Sequence, residues 1–170
     1  MKKFYWIILL MLVSNCDQKS SVEETKKDIA STIDAWHLAA SEANFNSYFG
    51  LMTNDAIFIG TDASENWNRK DFETFAKPYF DKGKAWHFVS LEKNIYLSKD
   101  QQIAWFDELL ETSFQICRGS GIMVKENQQW KIKHYVLSMT IPNEISDTIV
   151  QQKTILESVI IQNLKKNSLK

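Results

Sequence analysis

Cysteine, proline and glycine are all scarce in this chain: its 170 residues include two cysteines, two prolines and five glycines. Two cysteines, at positions 16 and 117, make neither a disulfide framework nor a cysteine-rich zinc site. So little proline and glycine excludes a collagen-like or low-complexity chain. An excess of one charge is missing as well. Lysine and arginine number 20 and aspartate and glutamate 21, a net charge of −1, without the basic footprint of a nucleic-acid binder. What is present suits one domain with a proper core: 44% of residues are apolar and 24% charged. The aromatics stand out, with 10 Phe, 6 Trp and 5 Tyr, so bulky walls have to be explained.

The first residues read as an address. Lys2 and Lys3 precede an apolar run from Phe4 to Val13, the charged and apolar regions of an export signal. The run is about half the length of a membrane-spanning helix. Leu12-Val13-Ser14-Asn15-Cys16 resembles the lipobox of bacterial lipoproteins, although Asn15 stands where Gly, Ala or Ser is usual. That resemblance implies a chain exported to the bacterial cell envelope and held on a membrane by lipid on Cys16. Residues 1–15 are then the signal, 16–24 a polar tether, 25–143 the domain and 144–170 a C-terminal amphipathic helix.

Ile29, Ile33, Trp36 and Ala40 recur at three- and four-residue spacing and predict a helix over 22–43. A short helix over 47–52, a strand at 55–60 and a helix over 69–80 follow, the last weakened by Pro78. Four strand-like runs, 85–97, 103–114, 117–125 and 130–141, are separated by hairpin-sized gaps. Ile145, Ile149, Leu156, Ile160 and Leu164 then line a C-terminal helix. Helices followed by a meander predict an α+β fold.

Asp55 to Thr61, Pro78-Tyr79-Phe80, Ile103 to Glu108, Arg118-Gly119-Ser120-Gly121 and Trp130 through Asn143 are similar to the SnoaL-like branch of the NTF2-like superfamily. The resemblance implies a cone, with N-terminal helices in the concavity of a curved antiparallel sheet. It also implies a homodimer through the outer sheet face, the alternative being that the C-terminal helix covers that face. It selects no function, since the superfamily includes isomerases, dehydratases and assembly domains.

Hairpin arithmetic predicts what faces the hollow. A turn centred on Asn127-Gln128 sets His134 opposite Gly121. A turn centred on Gln115 sets Asp107 opposite Met123. One face then collects Trp105, Asp107, Leu109, Gly119, Gly121, Met123, Ile132, His134, Val136 and Ser138. A slip of one residue would exchange the faces. Gly119 and Gly121 leave room between Asp107 and His134. The pair then has two readings: an imidazole held by a carboxylate for acid–base work, or two polar groups that satisfy one another.

Trp36, Phe58, Trp67, Trp105, Ser138 and the two glycines are the candidate ligand contacts. Arg118 joins them if a bulge turns it inward; otherwise it faces outward and pairs with a carboxylate such as Glu108 or Glu111. His37 follows Trp36 and either enters the hollow or has a surface or core role. Cys117 reads as a small buried hydrophobe. Three histidines on separate elements, without HxH or HExxH spacing, imply no metal, and no cofactor is expected. Three functions compete: binding of a small, partly apolar molecule in the cone; an acid–base enzyme of isomerase or dehydratase type using His134 and Asp107; and a dimeric assembly module.

Overall fold

The computed structural model describes residues 21–167; the expected export signal and Cys16 lie outside them. Helix α1 (Val22–Ser41) starts where the Ser21 side chain accepts a hydrogen bond from the Glu24 N–H, at 3.1 Å. Its expected stripe of Ile29, Ile33, Trp36 and Ala40 is buried throughout. Asn44 caps the short helix α2 (Phe45–Gly50), and Asn68 caps α3 (Arg69–Asp81). Pro78 does not end α3 early. Phe80 in the last turn is buried against Phe45, Tyr48 and Trp86, which holds the turn in place.

The strands are β1 (Met52–Ile59), β2 (Asn66–Asn68), β3 (Val89–Leu97), β4 (Ile103–Thr112), β5 (Gln115–Glu126) and β6 (Gln129–Met139). They form one sheet in the order β2-β1-β6-β5-β4-β3. Neighbours run antiparallel except β1 and β6, which are parallel, so the sheet is not antiparallel throughout. The helices and the inner sheet face close on one core, in which Trp36 stacks on Tyr48 at 4.9 Å and meets Tyr135 edge-on at 4.8 Å.

Two turns decide the register. The β5–β6 turn is at Asn127-Gln128, both with positive φ, and pairs Trp130 with Lys125 as expected. A bulge then intervenes, with Ile122 opposite His134 and Met123 opposite Ile132. Lys133 is the extra residue, and Gly121 therefore faces Tyr135 rather than His134. The β4–β5 turn is at Ser113-Phe114, not at Gln115. The Thr112 hydroxyl builds it, accepting from the Phe114 N–H at 2.9 Å and donating to the Gln115 carbonyl at 3.0 Å. Asp107 therefore lies opposite Ser120 instead of Met123.

These shifts correct the expected faces. Gly119, Gly121, Met123 and Ile132 turn inward as anticipated, but Asp107 and His134 go to the outer face. Glu108 and Tyr135 take the inner positions. Beyond β6, a single 3-10 turn (Asn143–Ile145) leads to α4 (Ser146–Asn167), which buries none of its residues. Among the described residues no helix is long and apolar enough to cross a membrane.

Candidate functional site

Glu108 sits on β4 among inward-facing Phe106 and Leu110, with no exposed surface. A carboxylate there needs donors, and two converge on one oxygen. His37, on the buried side of α1, places Nε2 2.8 Å from Glu108 Oε1. The Tyr135 hydroxyl donates to the same oxygen from β6 at 3.1 Å. Gly119 makes this reach possible, because a Cβ on residue 119 would lie 2.1 Å from the phenol oxygen. At residue 121 a Cβ would meet the Phe106 ring at 2.8 Å. The glycine gap exists, but a phenol and a phenyl ring occupy it.

Burial, reinforced by the charge of Glu108 beside it, pushes the Tyr135 phenol well above the usual tyrosine range. Burial likewise raises Tyr48, with a smaller opposing contribution from Trp86. The donors fill Oε1 and leave Glu108 Oε2 and His37 Nδ1 as buried atoms without a hydrogen-bond partner.

An open cleft of about 230 Å³ lies beside the cluster at the mouth of the cone. Phe58 from β1 and its cross-strand partner Trp67 from β2 form one wall. Phe72, Phe75 and Tyr79 recur along α3 and form another. Trp86 and Phe88, before β3, and Phe114, in the β4–β5 turn, close it. Phe72 lies 4.0 Å from Phe58, centroid to centroid, and Trp67 lies 4.5 Å from Phe75; both pairs are stacked. A layer of rings separates cleft and cluster: Phe88 meets His37 edge-on at 5.6 Å, and Phe58 lies 5.6 Å from Tyr135.

The cleft has one ionisable carboxylate, Glu65, half-buried at the end of the β1–β2 loop. The Gly60 N–H donates to the Glu65 carbonyl at 2.9 Å, and the Asp62 N–H donates to Glu65 Oε2 at 3.1 Å. A Cβ on residue 60 would be 2.2 Å from that oxygen, so Gly60 is what lets the carboxylate fold back.

The structure distributes the expected site residues over three places. Phe58 and Trp67 line the cleft. Trp36 is in the core, and Gly119 and Gly121 lie under the rings of Tyr135 and Phe106. Asp107, Arg118, Trp105, Ser138 and His134 are on the outer face. Asp107 there accepts from Arg118 and from Asn94, each at 3.3 Å, and no hydrogen bond joins it to His134. Arg118 thus faces outward as its parity suggests, but its partner is Asp107 rather than Glu108 or Glu111. Trp105 stacks on Tyr96 at 5.9 Å and is half-exposed. Cys117 is the buried small side chain expected of it. Glu108, Tyr135 and Glu65 escaped the sequence reading. For Glu108 a signal was present: Ala104, Phe106 and Leu110, all apolar, share its parity on β4.

A curved sheet wrapped around helices, with an aromatic cleft at its mouth, defines a cone-shaped α+β domain. The chain belongs to the SnoaL-like domain family, whose model matches residues 29–142. Solved structures agree on the NTF2-like fold. An NTF2-like protein of unknown function from Pseudomonas putida KT2440 is similar at 12% identity and a TM-score of 0.60, covering 74% of this chain and 93% of its own. A putative dehydratase of the NTF2-like family from Streptomyces avermitilis is similar at 9% identity and 0.61, covering 72% and 100%. The association domain of C. elegans CaMKII is similar at 19% identity and 0.57, covering 68% and 96%. No curated protein matches the chain in sequence.

Proposed function

We propose that this protein binds a small, partly apolar molecule in the cleft at the mouth of its cone, while lipid on Cys16 tethers it to the bacterial cell envelope. One observation carries the binding reading: a cleft of about 230 Å³ walled by rings remains open although the core beside it is closely filled. The tether rests on Lys2, Lys3 and the apolar run before Cys16. Native mass spectrometry of the protein from its own host tests both. We expect an acylated N-terminal cysteine and a retained small molecule that Trp67→Ala releases. A Trp67→Ala protein that keeps the molecule refutes the cleft as its site, and an unmodified Cys16 refutes the tether.

A second reading, acid–base chemistry of the isomerase or dehydratase type, has its own support in Glu108 Oε2 and His37 Nδ1, buried and without partners. It moves the chemistry from His134 and Asp107 to the inner cluster. In this reading the Phe58 and Phe88 rings between cleft and cluster swing aside to admit the substrate, and Glu108→Gln abolishes turnover without weakening binding in the cleft. The outer face, with half-exposed Tyr96, Ile103, Trp105, Ile116 and Ile122, supports a homodimer. The neighbour that is an association domain agrees with pairing of this kind.

A further inference from the structure

The walls of the cleft are aromatic, yet its charge has one sign. Among the lining residues Glu65 is the sole ionisable group apart from the Tyr79 phenol, and no lysine, arginine or histidine joins it. Several carboxylates elsewhere in the fold have basic partners: Asp55 has Lys133, Asp34 has Lys93, Glu73 has Arg69 and Asp107 has Arg118. Among the described residues no basic side chain pairs with Glu65. Its carboxylate is nevertheless held in place by the Asp62 N–H and by the space at Gly60.

We propose that the cleft selects an organic cation, a small ammonium group carried on an apolar body. This rests on the reading of the cleft as a ligand site and adds the charge of the ligand. Aromatic faces are electronegative and attract a cation within about 6 Å of the ring centre. A carboxylate in the same wall strengthens that attraction and opposes an anion. An ammonium group thus supplies the opposite charge that Glu65 otherwise lacks. The volume falls below the roughly 300–1,000 Å³ of pockets for drug-sized ligands, so the cation is small.

The test uses full-length protein in detergent and three probes of nearly one shape: choline, the neutral 3,3-dimethylbutan-1-ol and the anionic 3,3-dimethylbutanoate. Binding is read from the fluorescence of the wall residues Trp67 and Trp86 and confirmed by calorimetry. Choline should bind at least about tenfold more tightly than the alcohol, equivalent to ~1.4 kcal/mol, and the anion most weakly. Glu65→Gln, which retains an acceptor for the Asp62 N–H, should remove most of the advantage of choline and leave the alcohol unchanged. Trp67→Ala should weaken both. Equal affinity for choline and the alcohol, or a Glu65→Gln protein that still prefers choline, overturns the charge assignment while the cleft stands as a site. Failure of all three probes to bind also overturns it, and the retained-ligand experiment then judges the cleft on its own.

Discussion

Tyr135 reaches Glu108 across a position that has no side chain, and this makes residue 119 the most sensitive point of the buried cluster. In Gly119→Ala the new methyl group has to displace the phenol, since its carbon would lie 2.1 Å from the oxygen. Glu108 then keeps His37 as its sole donor, and the Tyr135 hydroxyl is left in an apolar core. Leaving a buried polar group unpaired costs about 1–3 kcal/mol. We expect Gly119→Ala to lower the urea midpoint by a corresponding amount and Tyr135→Phe to cost less, about 1 kcal/mol, because it leaves no orphaned hydroxyl. Equal losses in the two variants would show that the phenol does not depend on the gap. The glycines themselves were legible as a gap, but the acid expected beside it was Asp107, and the acid that stands there is Glu108. What would fill the gap was not legible, because that depends on a neighbouring strand.

The elements differ in how far sequence reveals them. The α1 stripe and the Asn127-Gln128 turn are local patterns, and both appear where expected. The inward-facing set failed on two features that periodicity does not encode: a threonine hydroxyl that closes a turn and one extra residue at Lys133. Each moves a strand by an odd step relative to its neighbour, and an odd step exchanges faces. Helix α4 shows the opposite case. Its pattern predicts a helix correctly, yet the helix packs against the 3-10 turn before it and leaves Ile155 and Leu156 79% and 74% exposed. A helix so rich in β-branched residues gains its stability mainly from packing. We expect it to be covered, together with the outer sheet face, when two copies meet. Light scattering should then give a dimer for the wild type and a monomer for both Ile155→Glu and Ile122→Glu. A dimer that survives Ile155→Glu would exclude α4 from the interface.

For the molecule as a whole, the buried phenols set an alkaline limit. Tyr48 and Tyr135 both have raised values, so the folded chain retains protons that the unfolded chain releases above about pH 10. Their contribution to stability is complete below that pH and is lost as the pH rises further. Phenolate absorbance from these two residues should therefore appear together with loss of the near-ultraviolet circular dichroism. Ionisation that precedes unfolding would show that water reaches the cluster.

The parallel seam between β1 and β6 has a consequence for how the chain is made. It pairs Phe58 with Tyr135, so the first long strand has no permanent neighbour on that side until β6 has been made. Distant pairings of this kind form slowly. Until β6 is made, that edge of β1 stays unpaired and the six-stranded sheet cannot close, so the two halves of the chain commit to their final architecture together.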